Sequence, residues 1–177
     1  MPVPHIDLGS ELPGLPALLA YRPETAGPLR ALAEALLRGP GLLSTGEREL
    51  IAAYVSELNA CGFCAGSHGA CAAELLGDDS VLGQVTADLD AAPVTPRLRA
   101  LLRLAEAVQR GGTAVTPELV ADAKTAGAAD QEIHDAILIA AAFCMYNRYV
   151  DGLATTAPAD PGVYAMMARG LATGGYA

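Results

Sequence analysis

The sequence predicts an all-α domain, and three observations carry that expectation. Hydrophobic residues make up 52% of the 177-residue chain, yet only 5% of residues are aromatic and Trp is absent. The apolar mass is therefore mostly Ala, Leu and Val, and Ala and Leu favour closely packed helices over a β-sandwich. Apolar residues recur at intervals of three and four, with caps and breakers between the runs. No stretch alternates apolar and polar residues as a half-buried strand would.

The length fits a single domain, residues 1–177, with a core of its own. Residues 1–22 read as an irregular N-terminal segment, rich in Pro and Gly to about Gly14, with room for one short helix over Leu15–Tyr21. Arg22-Pro23-Glu24 opens the first regular element, because Pro is tolerated in a first helical turn. Leu29, Leu32, Ala33, Leu36 and Leu37 share its apolar face, and Gly39-Pro40-Gly41 ends it. Ser44 followed three residues later by Glu47 has the form of a capping box, opening a helix to about Asn59. Cys61-Gly62-Phe63-Cys64 lies at the next junction, and helix resumes through His68 and Cys71 to a stop at Gly77. Leu98–Val108 is a further amphipathic helix, bounded by Pro96 and Gly111-Gly112. Thr116-Pro117-Glu118 combines an N-cap, a first-turn Pro and a first-turn acid, and that helix ends at Gly127. Asp130 is expected to cap a longer helix to about Leu153, and Pro161–Leu171 a last short one. The count is six to eight helices.

Charge and hydropathy exclude several classes of function. The formal net charge is −9, with 11 Lys and Arg against 20 Asp and Glu. No basic stripe offers a footprint for nucleic acid, and the same acidity disfavours anionic membrane surfaces. The mean hydropathy of +0.32 is mildly positive, yet the best apolar run, Ala136–Met145, is shorter than the ~18 residues a membrane helix needs. Met1-Pro2-Val3-Pro4-His5 lacks a basic segment followed by an apolar one, so no signal peptide is expected and a cytoplasmic address follows. In that reducing compartment a Cys-x-x-Cys pair reads as redox or metal chemistry rather than a structural disulfide.

The chemistry concentrates between Glu57 and His68. Residues three and four apart share a helix face, so Cys61, Cys64 and His68 project together if Cys61 begins a helix. A helix N-terminus lowers a thiol pKa through its unpaired N–H groups and dipole, and a nearby His can take the thiol proton. Two adjacent thiols allow one to become a sulfenic acid and the other to condense with it. A proton relay also needs a carboxylate. Glu49 and Glu57 lie eight apart on the preceding helix, near one face, and spacing does not choose between them.

These residues resemble a known family. Glu47-Arg48-Glu49-Leu50-Ile51-Ala52, then Val55–Cys64 and His68, are similar to the alkylhydroperoxidase D-like branch of the carboxymuconolactone decarboxylase superfamily, and more narrowly to its peroxidase-related proteins. The stretch Phe143–Leu153 resembles their Asn-Arg signature, and the likeness runs from about Pro23 to Pro158. The resemblance implies a compact, all-helical alkylhydroperoxidase D-like domain that oligomerises through helix packing, as a dimer, trimer or hexamer, and a thiol peroxidase activity. By position it makes Cys64 the peroxidatic thiol and Cys61 the resolving one, with His68 and Glu49 as the relay. One departure is plain: the best-studied branch has His directly before the second Cys, where this chain has Phe63. The decarboxylase branch lacks the Cys pair, so decarboxylation is not carried over.

Each residue also has a plainer reading. Cys61, Cys64 and Cys71 on one helix face cannot surround a zinc ion unaided, so neither metal nor cofactor is expected. Cys71 and Cys144 read as core, and His5 and His134 as surface. A salt bridge to Arg48 or Arg148 would explain Glu49 as well as a relay does. Asn147 and Arg148 read as structural, and Phe63 as packing that shields the thiols. The leading function is reduction of a hydroperoxide through a Cys61–Cys64 disulfide, with a partner dithiol restoring the thiols. The alternatives are a disulfide oxidoreductase or redox sensor without peroxide turnover, and a non-enzymatic oligomeric binding protein.

Overall fold

Nine α-helices and no strand make up residues 3–176, the residues described by the computed structural model. Met1, Pro2 and Ala177, part of the single-domain span expected above, lie outside them. The helices are α1 (Gly14–Tyr21), α2 (Pro23–Leu37), α3 (Thr45–Leu58), α4 (Gly62–Leu76), α5 (Val81–Ala87), α6 (Pro96–Arg110), α7 (Pro117–Thr125), α8 (Asp130–Gly152) and α9 (Pro161–Gly174).

Local chemistry accounts for most boundaries. Ser44 Oγ accepts from the Glu47 amide at 3.2 Å while Glu47 Oε2 accepts from the Ser44 amide at 2.8 Å, the reciprocal capping box that opens α3. Thr95 and Thr116 cap α6 and α7 ahead of their first-turn prolines. Gly77, with φ of 70°, ends α4 in the left-handed region that a glycine enters without penalty.

The short helix expected over Leu15–Tyr21 forms as α1, with Ala17, Leu18 and Leu19 buried against the rest of the chain. Three expectations are corrected. Six to eight helices were expected, and nine form among the described residues. Helix α5 was not anticipated. It has seven residues, and only Val81 and Val85, four apart, are buried, which leaves no extended period to read. Asp130 does not cap α8 but is its first helical residue. The cap is supplied by Glu132, whose Oε2 accepts from the Ala129 amide at 2.8 Å.

Helix α3 is the centre of the molecule. Gly46, and every residue from Arg48 to Ser56, is buried between α4, α6, α8 and α5. The main core gathers around Leu50, Ile51, Leu101, Leu104, Ile139 and Phe143. A second, smaller cluster sits at the α3–α4 junction: Leu8, Ala17, Leu18, Phe63, Val150 and Tyr164 surround the two junction thiols. Arg97 of α6 ties the N-termini of α3 and α8 together by reaching both Glu47 and Glu132. No helix among the described residues is long and apolar enough to cross a membrane.

The turn from α3 to α4 fixes where the thiols stand. The Ala60 amide bonds the Glu57 carbonyl at 2.9 Å and the Cys61 amide bonds the Ser56 carbonyl at 2.9 Å. This is a Schellman ending, and it requires Ala60 in the left-handed region, at φ of 57°. Cys61 thus closes α3 and, as N-cap, opens α4. Holding an L-residue left-handed costs about 1–2 kcal/mol, and glycine removes that strain at some cost in unfolded-chain entropy. Ala60→Gly is therefore expected to raise stability by about 0.5–1 kcal/mol in urea unfolding. A loss of stability would show that the turn is not strained as described.

Candidate active site

The helix start at Cys61 places Cys64 in the first turn of α4 and His68 one turn later. No side chain caps the α4 N-terminus, so its free N–H groups and positive dipole end act on the thiols themselves. Both sulfurs are screened from solvent, Cys61 at 0% and Cys64 at 3% exposure. All four cysteines are free thiols.

The two thiols are unequal. The Cys61 thiol donates to the Cys64 sulfur, which is the main reason Cys64 ionises below its ordinary value. Burial opposes this ionisation, a positive charge on the neighbouring His68 ring and the Asn147 amide favour it, and the charge of Asp151 opposes it. Cys61 is pushed well up: Cys64 holds its hydrogen, burial penalises its thiolate, and Asp151 offers a further acceptor. Cys64 is thus the more acidic thiol of the pair and Cys61 the less acidic.

Behind Cys64, the imidazole is held from three sides. His68 Nδ1 lies 2.7 Å from Glu49 Oε2, and Tyr176 Oη donates to Glu49 Oε1 at 2.7 Å. Since the carboxylate can only accept, Nδ1 carries a hydrogen whether or not the ring is charged, and Nε2 is the atom that takes up or releases a proton. Tyr176 stacks on the imidazole at 5.8 Å and Phe143 meets it edge-on at 4.5 Å. Arg38, at the end of α2, pairs with Glu49 Oε1 at 2.7 Å and lies over the Tyr176 ring. Burial raises the Glu49 pKa, but His68, Arg38 and Tyr176 together outweigh it, and the carboxyl is held below its ordinary value. Tyr176 is driven strongly upward by burial and by Glu49, so it remains a neutral donor.

Of the sequence candidates, the structure brings Cys61, Cys64, His68 and Glu49 together. Glu57 is exposed and lines a separate groove between α4, α5 and α9. The proposed Glu49 partners are replaced. Arg48 donates to the carbonyls of Leu43 and Gly39, and Arg148 is exposed over the Cys144 carbonyl, while Arg38 takes the carboxylate. Cys71 is buried beside Glu49 and Tyr176, and its pKa is pushed up to about 12 by burial and the Glu49 charge. Cys144 is half-buried rather than core, because its face of α8 meets Asn59. His5 and His134 are exposed. Phe63 turns away from the relay into the apolar cluster, over Gly14, where a Cβ would meet its ring at 2.2 Å. Asn147 is buried and reaches the site, and Arg38, Tyr176 and Asp151 were not anticipated. Only Asn147 and Asp151, four apart on the Asn-Arg stretch, left a trace in spacing. Among the described residues no group of three or more His, Cys, Asp or Glu is placed to hold a metal.

Glu49→Gln removes the charge that holds Arg38 and His68. Breaking a buried pair while leaving its cation costs about 3–5 kcal/mol, and a loss near the lower figure is expected by urea unfolding at pH 7. Because the folded pKa is depressed, Glu49 contributes stability that is complete above its ordinary value of 4.5 and is lost as pH falls through the folded value. The gap between wild type and Glu49→Gln should therefore narrow below pH 4.5, and a constant gap would contradict the ion-pair account.

Residues 23–107 match the family model described as the Carboxymuconolactone decarboxylase family. No curated protein matches the chain. Among solved structures, the chain is similar to an "alkylhydroperoxidase AhpD core: uncharacterized peroxidase-related protein" from Ralstonia eutropha JMP134. The identity is 28% and the TM-score 0.79, covering 89% of this chain and 82% of that one. It is also similar to an uncharacterized peroxidase-related protein from Silicibacter sp. TM1040, at 27% identity and a TM-score of 0.78, covering 86% of this chain and 78% of that one. The chain thus has the alkylhydroperoxidase D-like fold, and its residues 23–107 are similar to the carboxymuconolactone decarboxylase family.

Proposed function

We propose that the protein reduces hydroperoxides through Cys64 and Cys61. One observation carries this reading: the more acidic thiol stands in the first turn of a helix, one turn before an imidazole whose Nδ1–H is fixed on a buried carboxylate. That leaves Nε2 as the base for the Cys64 proton. The Cys64 thiolate attacks the terminal peroxide oxygen and the O–O bond breaks. The departing alkoxide takes the proton held by His68 and leaves as the alcohol, and Cys64 retains the hydroxyl as a sulfenic acid. Cys61 then attacks the Cys64 sulfur, forming the disulfide and releasing water. A dithiol, from a small molecule or a partner protein, restores both thiols by exchange and leaves oxidised.

The similarity to peroxidase-related proteins and the family match support the same chemistry. Phe63 in place of a second His means that the relay has one imidazole, so His68 alone serves both proton transfers. A cytoplasmic, helix-packed homo-oligomer completes the reading. Leu138 and Met145, at 40% and 43% exposure on α8, would be covered in such an assembly.

Pre-reduced protein is expected to consume cumene hydroperoxide with a general dithiol reductant. Cys64→Ser should abolish turnover. Cys61→Ser should accumulate over-oxidised Cys64 by mass spectrometry, and His68→Ala should reduce turnover by about 10²-fold. Absent turnover with an intact, reducible Cys61–Cys64 disulfide would replace this reading with that of a disulfide oxidoreductase or redox sensor.

A further inference from the structure

The segment after α9 delivers a phenol to the relay, and its backbone is shaped for that delivery. Gly175 has φ of 71° and ψ of −159°, a conformation essentially closed to any other residue. A Cβ there would meet Glu34 Oε2 at 2.5 Å, and that same oxygen accepts from the Tyr176 amide at 2.6 Å. Arg38 Nη2 donates to the Leu171 carbonyl at 3.1 Å, so α2 grips the end of α9 and the residue beyond it. Tyr176 is thereby laid over the His68 ring, 5.8 Å away and inclined by 20°. Its Oη stands 2.7 Å from Glu49 Oε1 and 3.2 Å from His68 Nδ1.

The phenol hydrogen has one destination. His68 Nδ1 carries a hydrogen and cannot accept, so the Tyr176 hydroxyl donates to Glu49 Oε1. Its oxygen then offers a lone pair to Nδ1–H, beside Glu49 Oε2 at 2.7 Å. Arg38 also lies on Oε1, so the carboxylate cannot turn without disturbing Arg38, Tyr176 and His68 together. Were the imidazole to flip, a C–H group would face Oε2 and Oη, and the buried carboxylate would lose a donor. We propose that Tyr176 is a positioning residue of the relay: its hydroxyl locks Glu49 and His68 into one arrangement, and its ring keeps water off the Nδ1–H. The consequence for catalysis rests on the peroxide reading above, in which Nε2 must be ready for the Cys64 proton at every turnover.

Two measurements test the assignment. The first follows ring N–H protons by NMR at pH 7 in protein carrying isotope-labelled histidine. His5 and His134 are exposed, so their ring protons exchange with water too fast to be seen. His68 should give a slowly exchanging Nδ1–H signal, assigned by its loss in His68→Ala. Tyr176→Phe keeps the ring and removes the hydroxyl, and exchange of that proton with water should accelerate about tenfold, the worth of one hydrogen bond. Gly175→Ala alters no side chain of the relay but displaces Tyr176, and should accelerate exchange further. It also carries the test if Tyr176→Phe fails to fold. A wild-type protein without the signal, or unmoved exchange in a folded variant, overturns the proposal.

The second is cumene hydroperoxide turnover with a dithiol reductant. Tyr176→Phe should lower kcat about tenfold and leave KM for the dithiol unchanged, since the phenol acts through His68 and not on the reductant. In a His68→Ala background the same substitution should cost nothing further, because the residue it positions is gone. Full turnover in folded Tyr176→Phe, or an equal loss in the His68→Ala background, overturns the positioning role. Wild-type protein inert to peroxide, with the exchange results as expected, would uphold the hold of Tyr176 on His68 and sink the peroxide reading alone.

Discussion

A carboxylate with no exposed surface sets the terms for the rest of this structure. Glu49 lies in the middle of α3, the most enclosed helix, where an unpaired charge is several kcal/mol too costly to keep. It survives there because three donors converge on its two oxygens: Arg38 from the end of α2, His68 from α4, and Tyr176 from the segment after α9. Each donor belongs to a different stretch of chain, so the charge is satisfied only when α2, α4 and the segment beyond α9 are all docked on α3. The same geometry fixes the tautomer of His68. Fold and site chemistry therefore share one constraint.

The other side of the thiol pair is set by packing. Phe63 points into the apolar cluster because Gly14, at φ of 58°, lets the N-terminal segment pass directly over its ring. Where relatives of the best-studied kind present a second imidazole, this chain presents a seal. That flank of the sulfurs is closed by apolar side chains.

How much of this was legible follows from the range of the interactions. The capping box, the first-turn prolines and the glycine stops act within four residues, and the helices they bound stand close to where the spacing put them. Helix α5 escaped, since it carries no period long enough to detect and is held by the burial of Val81 and Val85 alone. At the site, Cys61, Cys64 and His68 lie within eight residues on one helix face, so their meeting could be read directly. Glu49 could be shortlisted but not distinguished from Glu57 by spacing. What separates them is the direction each faces from α3. Arg38 and Tyr176 arrive from positions 11 before and 127 after Glu49, with no local pattern to announce them.

Environment also separates the roles of the carboxylates. Glu49 is buried and held by Arg38, which suits it to orient His68 and to stabilise charge on it rather than to carry protons away. Glu57, exposed but facing a groove away from the sulfurs, has the freedom without the contact.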